Sequence, residues 1–318
     1  MEQVETIGAD LGGTKLAVGV VDGRPEALWQ EEVPSKGYSQ EDVVNLLARQ
    51  INKAREARPG AAAAGIGVPA TIDYETGLAI ASNNLDIDGL PVRDLLSEKV
   101  GIPVAIDNDG NLAMLAEALY GAAKGADHAL LLTLGTGIGG GIWMNGEIYR
   151  GATGAGAELG HMVVDIDGEP CPGSCPNRGC IESMASGTAL GRLARDGAER
   201  HPDSALGRRL IERGAIDARD LEAAARAGDG VAVEAVELAG HYLGQALVAL
   251  SNIFQPQVIV LGGGAIAFGE MLLGPARAEV ERYALDPMNK TRIVEARLGP
   301  AAGMIGAAAF GRMEAEAA

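Results

Sequence analysis

Residues 4–23 read VETIGADLGGTKLAVGVVDG, and residues 129–146 read ALLLTLGTGIGGGIWMNG. Each is an apolar run, a glycine turn, a second apolar run and then Asp-Gly or Asn-Gly. That order predicts strand, turn and strand closed by a two-residue hairpin. Sliding the chain by 123 positions lays Leu11 on Leu134, Gly12 on Gly135 and Asp22-Gly23 on Asn145-Gly146. The repeat predicts a duplicated lobe, each copy presenting one glycine hairpin to a shared cleft.

Around the two hairpins, strand-like and helix-like stretches alternate, which assigns the chain to the α/β class. Residues 40–58 place Val43, Leu46, Leu47, Gln50 and Ile51 on one helical face. Residues 61–70 read as a buried strand entering a loop, 91–100 as a short helix, 104–107 as a strand and 111–123 as an amphipathic helix. Helices are expected at about 205–227 and 230–254, a buried strand at 258–267 and a small-residue helix at 299–313 with a frayed tail. The expected division is a first lobe over 1–118 and a second over 119–318, the last helix packing back on the first.

The 318 residues suit two lobes, and 47% hydrophobic with 22% charged residues is the balance of a packed globular chain. A net charge of −17 repels phosphodiester backbones and argues against nucleic acid as a partner. A phosphate site in so acidic a chain is expected to rest on backbone N–H groups and a metal ion rather than on a lysine patch. No apolar stretch reaches the roughly 18 residues of a membrane span. The opening MEQVETIGAD lacks the layout of a secretory signal, so no membrane partner and a cytoplasmic location are expected.

Glycine turns of this kind let the backbone approach phosphates and aim N–H groups at their oxygens. Asp10, ending the first strand, is placed to hold Mg²⁺ through water, and Thr14 to donate from its hydroxyl. Gly135, Gly137 and Gly140 also spell G-x-G-x-x-G, but a dinucleotide fingerprint needs a helix at its third glycine, and strand-like GGIWMNGEIYRG follows instead. No G-x-x-x-x-G-K-[ST] occurs, which excludes a P-loop.

Taken in order, DLGGTK (10–15), GIGVPA (65–70), NDGN (108–111), LGTGIGGGI (134–142), GAGAELGH (154–161) and CPGSCPNRGCIE (171–182) resemble the ROK family of bacterial sugar kinases and repressors. The resemblance implies a two-lobed actin-like (ribonuclease H-like) ATPase fold with a zinc knuckle in the second lobe. It also implies ATP-dependent phosphorylation of a hexose at its C6 hydroxyl, glucose first, with N-acetylmannosamine, N-acetylglucosamine or fructose as alternatives. Taken alone, Asp107 and Asp109 read first as helix N-caps; the resemblance reverses this and matches Asp109 to the family's general base. The sugar positions fall on Asn84 (or its neighbour Asn83), Asn108, Asp109, Glu158, His161 and Glu182.

For the nucleotide, the resemblance brings in Asp10, Gly12, Gly13, Thr14 and Lys15, then Gly135, Thr136 and Gly137, and, for adenosine, Gly262, Gly263 and Gly264. The expected cofactors are ATP, Mg²⁺ and structural Zn²⁺. His161, Cys171, Cys175 and Cys180 make a tetrahedral zinc set. Three residues separate Cys171 from Cys175, where the family has one; Cys175 and Cys180 keep the usual four. One nitrogen of His161 on the metal would turn the other toward the sugar. Family repressors carry a DNA-binding segment ahead of the first hairpin; with a hairpin beginning by residue 10, a kinase rather than a repressor is expected. A homodimer or homotetramer is expected.

Overall fold

The computed structural model describes residues 4–35, 37–82 and 85–317. The chain opens with β1 (Thr6–Leu11), β2 (Lys15–Val21), β3 (Trp29–Pro34), α1 (Gln40–Ala57), β4 (Ala63–Val68), β5 (Thr71–Asp73), β6 (Leu78–Ala81), α2 (Val92–Val100), β7 (Val104–Asn108) and α3 (Asp109–Leu119). It continues through β8 (His128–Leu134), β9 (Ile138–Met144), β10 (Glu147–Ile148), α4 (Ile181–Ala185), α5 (Gly187–Arg200), α6 (Ala205–Arg213), α7 (Ala218–Arg226) and α8 (Gly230–Phe254). It closes with β11 (Val258–Gly262), α9 (Glu270–Tyr283), β12 (Arg292–Glu295) and α10 (Ala302–Ala317). By contact the chain forms two compact units, Met1–Leu131 with Gly140–Ala157 and Ala296–Ala318, and Leu132–Gly139 with Glu158–Glu295. The division runs through β8 and β9.

Two five-stranded sheets have the orders β3-β2-β1-β4-β7 and β10-β9-β8-β11-β12. Each begins with antiparallel strands joined through a glycine turn and ends on parallel strands, so the repeat in the sequence is a repeat of topology. In the first unit β1, β4 and β7 run parallel and are almost wholly buried. A parallel strand covered on both faces reads as a continuous apolar run, which is why TIGADL and AAGIGV show no polar alternation. Side chains still alternate between faces. Ile7, Ala9 and Leu11 join Leu47 and Ile51 of α1 in one core, and truncating such a leucine to alanine costs about 2–5 kcal/mol.

On the opposite face α10 lies directly on the backbone of β1 and β4. Gly8 and Gly65 are cross-strand partners there, and a Cβ on Gly65 would sit 1.8 Å from the Ala307 carbonyl oxygen. The small residues of α10 and of the strands are one packing device. Over Glu314–Ala317 the helix does not fray as the sequence suggests, and Tyr74 donates to Glu314 at 2.7 Å; Ala318 lies outside the described residues.

Two further readings need correction. The stretch 205–227 is not one helix, because Gly214 ends α6 in the left-handed conformation and Asp217 with Asp220 forms a capping box that starts α7. Asp22-Gly23 is not a two-residue turn either: β3 starts only at Trp29, with Leu28 N–H donating to Val20 and Arg24 held by Asp22. Asn145-Gly146 is one, with φ of 56° and 79°. Among the described residues no helix is long and apolar enough to cross a membrane.

Candidate active site

In the first unit the site grows from the C-terminal ends of three parallel strands. Asp10 on β1 pairs in register with Gly67 on β4, and Gly67 with Asp107 on β7. The point that a Cβ on Gly67 would occupy lies 3.4 Å from Leu112 Cδ1, 3.5 Å from the Asp109 Cα and 3.7 Å from Asp10 Oδ1. The Asp10 carboxyl and the backbone that carries Asp109, the acids predicted for metal and base, therefore flank one glycine. Burial pushes the Asp10 carboxyl up to about 7, the Asp109 carboxylate adds to that push, and Lys15 opposes it. A desolvated acid beside a second acid is a place where a cation restores the charged form, so the residues present fit magnesium.

The β7–α3 turn that carries Asp109 is held firmly. Asn108, not Asp107 or Asp109, is the N-cap of α3, its side-chain oxygen accepting from Gly110 and Asn111 N–H at 2.9 and 3.3 Å. Its amide donates to the Ala70 carbonyl at 3.3 Å, which leaves one amide hydrogen for a ligand. Asp107 is 2% exposed and accepts from Asn108 N–H, the Asn111 amide and Arg150 Nε. The Arg150 guanidinium lies 4.1 Å from the centre of the Tyr74 ring. Sequence reasoning missed Arg150, since a lone arginine after a hairpin carries no spacing signal.

The first glycine turn, residues 12–14, is closed by Gly12 N–H donating to Lys15 O at 2.8 Å. Ser35 takes its carbonyls: the hydroxyl donates to Gly12 O at 2.7 Å and the N–H to Thr14 O at 3.1 Å. With those oxygens and the Gly12 N–H engaged by protein, the amides of Gly13 and Thr14 are the ones suited to an anion. Lys15 is tied to Glu32 at 2.6 Å on the exposed part of the sheet.

The second unit dresses its glycine turn differently. Gly135 O accepts from Gly187 N–H at 2.8 Å, and Thr136 O from the Thr188 hydroxyl at 2.7 Å, so the start of α5 caps the carbonyls. Beside them opens a cavity of about 680 Å³, lined in part by Arg192, Arg195, Ile216, Asp217, Gly264 and Phe268, with Gly135 and Thr136 at its wall. That volume lies in the range of small-molecule sites. Of the glycines predicted for adenosine, Gly264 lines the cavity; Gly262 ends β11, and Gly263 (φ 89°) packs against the Leu134 backbone. The arginines were not foreseen; Arg192 is held by Asp196 at 3.1 Å at the cavity wall.

His161, Cys171, Cys175 and Cys180 offer ligand atoms that all lie within 4.8 Å of one another. The Cys175 and Cys180 sulfurs are 3.9 Å apart, and His161 Nδ1 is 3.3 Å from the Cys171 sulfur. A tetrahedral ion with bonds of about 2.3 Å to sulfur and 2.0 Å to nitrogen sets these edges near 3.5–3.8 Å, so the donor set fits zinc. Burial pushes the Cys171 and Cys180 thiols up, and the Asn177 backbone N–H lowers Cys175. With Nδ1 on the thiol side, His161 Nε2 points to Glu158, 3.8 Å away. Glu182, in the first turn of α4, accepts from Ile138 N–H at 2.8 Å. Asn83 and Asn84 lie outside the described residues.

The ROK family model matches residues 6–313, and the chain belongs to the ROK family. It is 37% identical over 315 residues to a glucokinase of Thermotoga maritima, covering 98% of each chain. A ROK family glucokinase from Streptomyces griseus, solved in complex with glucose and AMPPNP, is 34% identical, with a TM-score of 0.84 over 97% of this chain and 99% of that one. A ROK hexokinase from Thermus thermophilus is 35% identical, with a TM-score of 0.82 over 99% and 100%. The fold is that of the ROK sugar kinases, within the actin-like ATPase class.

Proposed function

We propose that this protein is a hexokinase-type enzyme that transfers the γ-phosphoryl group of ATP to the C6 hydroxyl of a hexose, with glucose as the preferred substrate. The observation that carries the reading is the meeting of Asp10 and Asp109 beside Gly67, at the ends of parallel strands, in a chain of this family. Similarity to named glucokinases over nearly the full length supports the choice of sugar.

In this reading Asp109 accepts the proton of the C6 hydroxyl as its oxygen bonds to the γ-phosphorus, and the bond to the bridging oxygen breaks to release ADP. The Asp107–Arg150 pair and the Asn108 cap hold the turn that presents Asp109. Gly13 and Thr14 in one turn, and Thr136 and Gly137 in the other, aim amides at phosphate oxygens, while the Gly12 and Gly135 N–H groups close the turns on the Lys15 and Gly137 carbonyls. Magnesium, when bound, neutralises charge on the phosphates, and Asp10 would hold it through water. The cavity beside Thr136 takes the nucleoside. Asn84, Asn108, Glu158, His161 and Glu182 bind sugar hydroxyls. Zinc on His161, Cys171, Cys175 and Cys180 is structural, holding a knuckle in the second of two lobes. A cytoplasmic location and a homodimer or homotetramer complete the reading; the exposed Ile253, Tyr283 and Leu285 support self-association.

A matrix of sugars against phosphoryl donors, assayed on the purified protein for ADP release, tests the function. Glucose with MgATP is expected to give the highest kcat/KM, and no turnover with any hexose would end the reading. Asp109→Asn is expected to keep glucose binding and lose about 10²–10⁴-fold in kcat; near-normal turnover would remove Asp109 from the role of base.

A further inference from the structure

The metal knuckle and the second glycine turn meet at one residue. Glu182 follows Cys180 by two positions and accepts from Ile138 N–H at 2.8 Å. Gly160, immediately before His161, packs on the other side of the same peptide group's residue: a Cβ there would lie 2.0 Å from Ile138 O. Ile181 N–H donates to Met162 O at 2.8 Å, tying the segment after Cys180 to the segment after His161. A Cβ on Gly137 would lie 2.2 Å from Glu182 Oε2, so the carboxylate also occupies the space beside the turn's last glycine. Ile138 thus has its N–H bonded by Glu182 and its C=O packed against Gly160, both residues that neighbour metal ligands.

From this we propose that the knuckle is a clamp on the turn Gly135–Gly137, with Glu182 as the positioning residue, so that metal loading and nucleotide affinity are linked. The inference rests on the reading of that turn as a phosphate site. It extends the knuckle's expected effect from the sugar to the nucleotide. What the clamp needs from Glu182 is an accepting oxygen rather than a negative charge, and a glutamine keeps that oxygen.

The test is ADP binding, with magnesium and without sugar, measured by calorimetry on the full chain. Glu182→Ala is expected to weaken ADP by about tenfold, the equivalent of one hydrogen bond, and Glu182→Gln to stay within about threefold of wild type. Chelated protein, with metal content measured, is expected to lose at least as much affinity as Glu182→Ala. Amide exchange over 134–138 is read in parallel and is expected to rise in Glu182→Ala and in chelated protein, but not in Glu182→Gln. Equal ADP affinity and equal exchange in wild type and Glu182→Ala would overturn the clamp. Wild-type protein that binds no ADP would sink the phosphate reading itself, while exchange over 134–138 would still decide whether the clamp exists.

Discussion

The two glycine hairpins share a backbone plan and differ in what surrounds it. Under the 123-position shift, Asp10 falls on Thr133, so the first copy has a carboxylate ahead of its turn and the second has a hydroxyl. The first turn has its carbonyls taken by Ser35 from the end of β3, in the same sheet. The second has them taken by Gly187 and Thr188 of α5, and its exit residue gripped by Glu182 beside the cysteine knuckle. One topological unit has been used twice, once with an acid ahead of the turn and once with a helix start, arginines and a histidine–cysteine cluster beside it. Topology sets where the amides point, and the neighbours decide what each turn handles.

The comparison breaks most sharply at its acids. Asp10→Asn is expected to lower kcat by about 10²–10³-fold, the scale of losing one electrostatic partner of the developing charge. Thr133→Val is expected to stay within about threefold on the same scale. Steady-state rates at saturating glucose read both, and equal losses would mean that the two copies do the same job. Removal of the metal is the next test. Structural zinc contributes on the order of 10 kcal/mol to small sites, so chelation is expected to lower the thermal midpoint and to expose amides over 162–182 while β1 and β2 stay protected. Unchanged exchange there, with no zinc on metal analysis, would remove the knuckle from the account.

Two smaller effects sharpen it further. Gly303 lies where a Cβ would come 2.4 Å from Asp10 Oδ2. Gly303→Ala is therefore expected to displace that carboxylate and raise the magnesium concentration needed for half-maximal rate several-fold, with little change in the KM for glucose. Asn145→Ala forces a residue with a Cβ and no helping amide into a φ of 56°, at a cost of about 1 kcal/mol in a denaturant melt and no change in kcat. A loss of turnover there would show that the second β-turn does more than close a hairpin.

Much of this was legible because its signals are local. Glycine turns and apolar runs are read without knowing what lies across the fold, whereas the Asn108-Asp109 pair is singled out only by the family resemblance. The same dipeptide logic failed at Asp22-Gly23, where Arg24 draws the Asp22 side chain and the chain runs on to Trp29 before pairing. It also failed at 205–227, where an apolar period continues across Gly214 although the backbone cannot. Arg150 and the cavity residues Arg192, Arg195 and Ile216 carry no motif, because their roles come from neighbours more than 40 positions away or from several separate elements. Glu182 was read as a sugar ligand; its bond to Ile138, 44 positions earlier, is visible only in the fold.

The central claim is that Asp109 takes the proton of the hexose hydroxyl that attacks ATP. A crystal structure of the protein with glucose and a non-hydrolysable ATP analogue measures this directly. The account predicts an Asp109 carboxylate oxygen about 2.6–3.2 Å from the C6 hydroxyl. A bound glucose whose C6 hydroxyl faces another group, with Asp109 out of reach of every sugar oxygen, would contradict it.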